Sequence, residues 1–114
     1  MKGGVSIHCV DVLAGAVATG LFVQLHGHDG TLRAQGHVGN GRLVTSSDLA
    51  NYLESGTYQA SFHVAEFYRG QQVSLARTPF LDVAQFSFVS NDPEFHIHLP
   101  FKFSPWGYSL FRGN

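Results

Sequence analysis

Residues 95–103, FHIHLPFKF, decide the fold because their side chains alternate between apolar and polar types. The apolar positions are Phe95, Ile97, Leu99, Phe101 and Phe103, and the positions between them are His96, His98, Pro100 and Lys102. Successive side chains of a strand point to opposite faces of its sheet. The stretch therefore predicts a strand with one face, Phe95 included, on a core and the other face presenting two imidazoles. Such a polar face can also be merely solvated.

Working outward, further short segments alternate in the same way and are separated by glycine, proline and asparagine turns. The predicted strands are residues 5–11, 21–25, 31–38, 42–44, 58–64, 83–89, 95–103 and 108–112. Residues 13–20 are predicted as a loop, 27–30 as a hairpin connection and 39–41 as a tight turn. Residues 46–56 fit either one short helical turn or a loop. Seven to eight strands of this kind predict an all-β fold, a two-sheet antiparallel β-sandwich.

The composition favours one small domain and excludes several classes of function. A chain of 114 residues with 44% apolar residues builds a single core, so residues 1–114 are expected to form one domain. No stretch is long and apolar enough for a membrane span, and the N-terminus lacks a hydrophobic export region, so an intracellular protein is expected. A net charge of −1 without a basic stripe argues against nucleic acid binding. The lone Cys9 excludes an internal disulfide and is expected to be a small buried residue.

Charged residues make up 13% of the chain, about half the usual share. A small domain this poor in charge is expected to cover much of its surface in an oligomer.

Motifs at both ends of the chain point to a family. The C-terminal part reads His96-Ile97-His98-Leu99-Pro100, then Ser104-Pro105-Trp106-Gly107-Tyr108-Ser109, then Phe111-Arg112-Gly113-Asn114. The N-terminal part reads His8-Cys9-Val10-Asp11, followed by Gly15, Ala18 and Gly20. This pattern resembles the transthyretin-like family, which shows His-Val-Leu-Asp near its start and His-x-His-x-Pro, Ser-Pro-aromatic-Gly-Tyr-Ser and Tyr-Arg-Gly-Ser at its end. Residues 65–69, closed by Gly70, resemble the family's single short helix.

The enzyme members of that family are 5-hydroxyisourate hydrolases, so the resemblance implies hydrolytic ring opening in urate degradation. The product would be 2-oxo-4-hydroxy-4-carboxy-5-ureidoimidazoline, and no cofactor or metal would be needed. The resemblance implies a site made of His8, Arg42, His98 and the closing residues 111–114, with His8, His98 and Arg42 catalytic. Arg112, Tyr108, Asn114 and His96 are expected to contact the substrate, and His96 fits equally well as a partner of His98 or as an exposed neighbour. It also implies a homotetramer, a dimer of dimers, with sites in clefts at the interface. Since no export region is present, the compartment expected from the sequence is the cytoplasm.

The residue types suit that chemistry on physical grounds. An imidazole, with an unperturbed pKa of about 6.5, can accept or donate a proton near neutrality. Two imidazoles brought together can activate a water molecule and pass its proton onward. Arg42 and Arg112 would supply positive charge and planar donors for a carbonyl oxygen or an anionic ring.

Three departures from the family pattern leave alternatives open. Phe111 and Asn114 stand where the family has a tyrosine and a serine, and only Gly41-Arg42 remains of its Thr-Asn-x-x-Gly-Arg turn. Val17 replaces the usual proline of the first loop. A paralogue acting on another small heterocycle or lactam is one alternative, and a non-catalytic carrier of a small ligand is another. Because His26 and His28, like His96 and His98, are spaced to share a strand face, a zinc site is a competing hypothesis.

Overall fold

The structure, a computed structural model, describes residues 4–39, 42–43, 53–73 and 79–113, with residues 42 and 43 described by their backbone alone. Its elements are β1 (Val5–Asp11), β2 (Ala16–Val17), β3 (Phe22–Gly27), β4 (Leu32–Gly39), β5 (Arg42–Leu43), β6 (Gly56–His63), α1 (Val64–Gly70), β7 (Val83–Ser90), β8 (Ile97–Ser104) and β9 (Gly107–Leu110). Each predicted strand is present. The additional strand, β2, lies in the predicted 13–20 loop and pairs with the end of β1. Most of the 46–56 segment lies outside the described residues.

The strands form two sheets that are linked by the pairing of one strand from each. We call β5-β1-β8-β9 the front sheet and β7-β6-β3-β4 the back sheet; the end of β4 pairs with β5 and joins them. The turn predicted at residues 39–41 falls here, and residues 40 and 41 lie outside the described residues. This arrangement confirms the predicted β-sandwich. One pair departs from the antiparallel pattern, because β1 and β8 run parallel.

The core lies between the two sheets and is filled by the inward side chains of each strand. Ile97, Leu99, Phe101 and Phe103 of β8 are all buried, as the alternation predicts. Phe62 of the back sheet stacks on Phe101 of the front sheet with ring centroids 4.0 Å apart. Burying one such side chain contributes about 1.5–3 kcal/mol. Face-to-face packing of this kind holds the outer faces in a fixed orientation.

Phe95 does not join this core. Its side chain is 64% exposed, so its predicted core position is wrong. The physical reason is a turn: the Phe95 amide donates to the Asp92 carbonyl at 3.1 Å, and the Glu94 amide donates to the Asp92 side chain at 2.9 Å. Strand β8 therefore begins only at Ile97, and the alternation of the sequence does not extend before it.

The short helix α1 closes one end of the sandwich by packing Phe67 and Tyr68 against Phe103. It begins at Val64, one residue before the predicted start, and includes Gly70. The left-handed residue after the helix is Gln72, with φ of 60°, rather than the glycine expected to stop it. No helix among the described residues is long and apolar enough to cross a membrane.

Candidate active site

The parallel pairing of β1 with β8 brings the two ends of the chain together on the outer face of the front sheet. Ser6 lies opposite His98 and His8 lies opposite Pro100 in this register. Because the inward residues of β1 are buried and those between them are half-buried, Ser6 and His8 share the outer face with His98. Two predicted catalytic histidines, ninety residues apart in sequence, thus occupy neighbouring strands.

Ser6 makes hydrogen bonds with both histidines of the His-x-His motif. Its Oγ lies 2.7 Å from Nδ1 of His98 and 2.8 Å from Nε2 of His96. We call Ser6, His8, His96 and His98 the histidine cluster. No sequence motif pointed to Ser6. The available signal was its position two residues before His8, but its importance depends on a parallel pairing that the sequence does not state.

Arg42 is placed next to the cluster by backbone pairing. The antiparallel β1–β5 register sets Arg42 directly opposite His8, although β5 is only two residues long. The backbone of Arg42 therefore lies next to that of His8.

The C-terminal tail folds back along β8. The Gly113 amide donates to the carbonyl of His98 at 2.8 Å, and Nη2 of Arg112 lies 3.4 Å from the carbonyl oxygen of His96. A Cβ atom at Gly113 would lie 2.9 Å from Cδ2 of His98 and 2.9 Å from Cγ of Pro100. Position 113 thus requires a glycine for the tail to approach the imidazole. Asn114 lies outside the described residues.

Tyr108 is not brought to the histidine cluster within this chain. It pairs with Phe103 across β8 and β9, and its ring contacts Phe101 with centroids 5.5 Å apart. Phe101 and Phe103 are inward residues, so Tyr108 lies on the core-facing side of β9, and it is 45% exposed at the edge. The histidines lie on the other side of the same sheet.

Cys9, between His8 and Val10, is buried on the inner face. Burial raises the pKa of its thiol to about 12. Because the thiolate is the nucleophilic form, this cysteine stays protonated and unreactive at neutral pH. It is the buried apolar residue that the sequence predicts.

A buried hydrogen bond anchors the strand that carries His8. Tyr68 of α1 donates its hydroxyl to Oδ1 of Asp11 at 2.6 Å, and the same oxygen accepts from the amides of Leu13 and Ala14 at 3.0 and 3.3 Å. Burial, and then this bond to Asp11, raise the pKa of Tyr68 above its usual range. The end of β1 is thereby tied to the turn that follows it and to α1.

The other predicted histidine pair lies on the back sheet. His26 and His28 line an open groove of about 520 Å³, together with uncharged polar side chains such as Gln24, Gln59 and Gln85. His28 is in the β3–β4 turn, so the two do not share a strand. Across the described ranges, no group of three or more His, Cys, Asp or Glu residues is placed to hold a metal ion. The geometry gives the zinc hypothesis no third ligand there.

Comparisons with known proteins agree with the sequence motifs. A family model described as the HIUase/Transthyretin family matches residues 5–113. The 5-hydroxyisourate hydrolase of Deinococcus radiodurans is 36% identical, over 97% of this chain and 96% of that protein.

Two solved structures are similar along the whole chain. The 5-hydroxyisourate hydrolase of Klebsiella pneumoniae superposes with a TM-score of 0.81 at 27% identity, covering 98% of this chain and 99% of that one. A crystal structure of (S)-allantoin synthase gives a TM-score of 0.89 at 25% identity; it covers 99% of this chain, which spans only 44% of that longer protein.

Proposed function

The chain belongs to the HIUase/Transthyretin family, and from that membership we propose that it is a hydrolase that opens the ring of 5-hydroxyisourate. One observation carries the proposal: the register of β1 and β8 gathers His8 and His98 on one outer face, beside the backbone of Arg42. Full-length similarity to proteins named 5-hydroxyisourate hydrolase supplies the substrate.

In the proposed mechanism a water molecule attacks a lactam-type carbonyl of the ring. His98 and His8 manage the protons: one imidazole accepts a proton from water as the C–O bond forms. As the ring C–N bond breaks, that proton is returned to the leaving nitrogen. The product is the ring-opened carboxylate, 2-oxo-4-hydroxy-4-carboxy-5-ureidoimidazoline. General acid–base catalysis of this kind contributes about 10²–10⁴ in rate.

The arginines supply the positive charge that the reaction needs. Arg42, opposite His8 in the β1–β5 register, and Arg112, at the carbonyl of His96, are proposed to bind the substrate and the oxyanion that develops on the attacked carbonyl. Guanidinium groups are always charged and offer planar, paired donors that suit a carboxylate or a urate-like ring. Donors aimed at a developing oxyanion are usually the largest single contribution to catalysis. His96 and Asn114 are proposed to contact the substrate beside them.

Tyr108 would contact substrate only if assembly brought a second chain's ring to the site. We propose a homotetramer, a dimer of dimers, with the histidine cluster in a cleft between subunits. Half-buried Val10 and exposed Val17 lie next to the cluster and would be covered by a partner. Light scattering on the eluting protein is expected to give about four times the chain mass of 12.5 kDa. A fully active monomer would contradict the interfacial site.

The proposed compartment is the cytoplasm, where a lone thiol stays reduced.

The decisive experiment is spectroscopic. Freshly generated 5-hydroxyisourate is mixed with the protein, and its decay is compared with the spontaneous reaction. We expect strong acceleration by the wild type and little by His8→Ala or His98→Ala. No acceleration by the folded wild type would sink the proposal, whereas acceleration untouched by either substitution would sink the mechanism alone.

A second candidate substrate is favoured by the tail. Phe111 and Asn114 replace two hydroxyl-bearing residues of the family pattern, so the chain could act on a related heterocycle or lactam. The same assay with hydantoin- and dihydropyrimidine-type rings separates the two: the higher kcat/KM identifies the substrate. A ligand carrier without activity is disfavoured because the histidine pair is retained.

A further inference from the structure

The two hydrogen bonds of Ser6 carry a second inference, which rests on the proposed function. We propose that Ser6 is a positioning residue that sets the tautomer of His98 and relays a proton between His98 and His96. The Oγ atom lies 2.7 Å from Nδ1 of His98 and 2.8 Å from Nε2 of His96, so one hydroxyl spans both rings.

Counting hydrogens makes the two imidazoles interdependent. A serine hydroxyl has one hydrogen to donate and lone pairs that accept. Facing two ring nitrogens, Ser6 can donate to only one of them, and the other nitrogen then carries a hydrogen and donates to Oγ. In the proposed relay Ser6 donates to one ring, so one of the two facing nitrogens is protonated and the other is not.

The two possible arrangements give His98 opposite roles. If Nδ1 of His98 donates to Ser6, and Ser6 donates to His96, then Nε2 of His98 is unprotonated and can act as a base. If His96 donates to Ser6, and Ser6 donates to Nδ1 of His98, then Nε2 of His98 carries a hydrogen and can act as an acid. When Nε2 of His98 gains a proton, shifting two hydrogens along the N···O···N line converts the first arrangement into the second, and the positive charge then lies on His96.

This conversion is what a hydrolysis requires. When Nε2 of His98 accepts a proton from the attacking water, the hydrogen on Nδ1 can move to Ser6 while the hydrogen of Ser6 moves to His96. The added charge then resides on His96, and Nε2 of His98 keeps the proton that came from water. When the ring C–N bond breaks and that proton goes to the leaving nitrogen, both shifts reverse. Protons balance, and all three side chains return to their starting state.

The fold fixes the position of the His98 ring relative to Ser6. Ser6 and His98 are directly paired in the parallel register, and the tail at Gly113 lies against Cδ2 of His98. The ring is thus contacted on its Nδ1 side by Ser6 and on its Cδ2 side by the tail. In the proposed relay, Nε2 is the nitrogen that exchanges protons with water and substrate.

Charged and titratable groups of the described residues lie on the elements next to the relay. They are His8 on β1, Lys102 on the same face of β8, Arg112 at the carbonyl of His96 and Glu94 two residues before His96, with Arg42 at its register position on β5.

The test uses Ser6→Ala, the conservative Ser6→Thr, which keeps a hydroxyl, and the control Ser87→Ala, an exposed serine of the back sheet. We expect Ser6→Ala to lower kcat for 5-hydroxyisourate at least tenfold with KM changed less than threefold, and to alter the pH profile of kcat. Ser6→Thr is expected to recover most of the loss, and Ser87→Ala to match the wild type. The double variant Ser6→Ala/His96→Gln is expected to be no slower than the slower single variant, because one relay is broken either way.

Imidazole ¹⁵N spectra of the substrate-free protein keep this inference separable from the proposed function. In the wild type, Nδ1 of His98 and Nε2 of His96 are expected to show opposite protonation and to titrate together; in Ser6→Ala they titrate independently. Independent titration in the wild type overturns the relay, as does a Ser6→Ala enzyme within twofold of wild-type kcat. If the wild type does not accelerate ring opening, the proposed function fails, and the spectra still decide whether Ser6 couples the two rings.

Discussion

Both outer faces of this sandwich carry histidines, yet they are organised differently. On the front sheet, His96 and His98 are joined through one serine hydroxyl, and a tail passes over them. On the back sheet, His63 bonds Gln24 at 3.0 Å and packs against Phe22, which also contacts His37, with ring centroids 5.0–5.1 Å apart. The front-sheet histidines bond to the same hydroxyl, whereas the back-sheet histidines lie on different strands and contact a glutamine amide and a phenyl ring.

The difference teaches that imidazoles on a strand face do not by themselves make a reactive site. What distinguishes the front sheet is convergence: segments from both ends of the chain and the turn strand β5 meet at His8 and His98. A groove alone does not mark a reactive face, because a groove of about 520 Å³ lies on the back sheet.

The largest effect is expected from removing one imidazole from each face. His98→Gln should lower kcat/KM for 5-hydroxyisourate by roughly 10³-fold, since it deletes the proposed general acid–base group. The matched His63→Gln on the back sheet should stay within twofold of the wild type. Stopped-flow decay of the substrate measures both. Comparable losses in the two variants would erase the distinction between the faces.

The tail contact is expected to give the next largest effect. Gly113→Ala places a methyl group 2.9 Å from the His98 and Pro100 rings, so the tail or the imidazole must shift. A displacement approaching 1 Å in an active site can cost about 10²-fold, and we expect a loss of roughly 10- to 100-fold in kcat/KM. Gly107→Ala is the control, because a Cβ there meets nothing within 4 Å. Wild-type activity in Gly113→Ala would mean that the tail does not position His98.

Removing one tyrosine hydroxyl from each side of the sandwich compares how much each hydrogen bond stabilises its sheet. Tyr68→Phe removes the buried donor to Asp11, and the free energy of unfolding should fall by about 2 kcal/mol, because bonds to charged groups contribute about 1.5–3 kcal/mol. Tyr58→Phe removes a half-buried bond to the carbonyl of Glu54 and should cost about 1 kcal/mol or less. Urea titrations give both values. A larger loss in Tyr58→Phe would reverse the assignment of the stronger anchor.

An effect smaller than that of Tyr68→Phe concerns the pH dependence of stability through Cys9, on the inner side of the front sheet. Its pKa is about 12 in the folded state against 9.0 for the ordinary thiol. Above pH 9 the unfolded chain releases this proton while the folded chain keeps it, so stability falls as pH rises, by about 1.4 kcal/mol at pH 10. Unfolding at pH 8.5 and pH 10 measures this loss.

Cys9→Ala is the comparison, and it should lose less stability than the wild type over this interval. The raised pKa of Tyr68 adds a loss of the same sign toward and above pH 10, but it does so equally in both proteins. If the free energy of unfolding fell by the same amount in both proteins between pH 8.5 and pH 10, the raised thiol pKa would be contradicted.

The strands were predictable because their side chains alternate, and alternation is local. Residues 5–11 and 83–89 were placed within one residue of β1 and β7 from pattern alone. The errors fall where a backbone hydrogen bond overrides the pattern. Phe95 leaves the core because Asp92 forms a turn, and the left-handed residue after α1 is Gln72 although Gly70 was available.

The site was predictable only in its parts. Motifs named His8, His98 and Arg42, but no local pattern states that β1 and β8 pair in parallel or that His8 faces Arg42. Ser6 was missed because its role exists only in that register. Tyr108 was grouped with the site by its motif, whereas its strand parity turns it to the other side of β9.

The sequence by itself determined the period of the strands, the positions of the turns, the inert buried cysteine and the histidines available for chemistry. Each of these depends on a residue and its near neighbours. Only the tertiary structure decided which histidines act together, because pairing between strands ninety residues apart depends on how two sheets bury their inner faces at once. That packing fixes the parallel register, and the register sets one serine between two imidazoles.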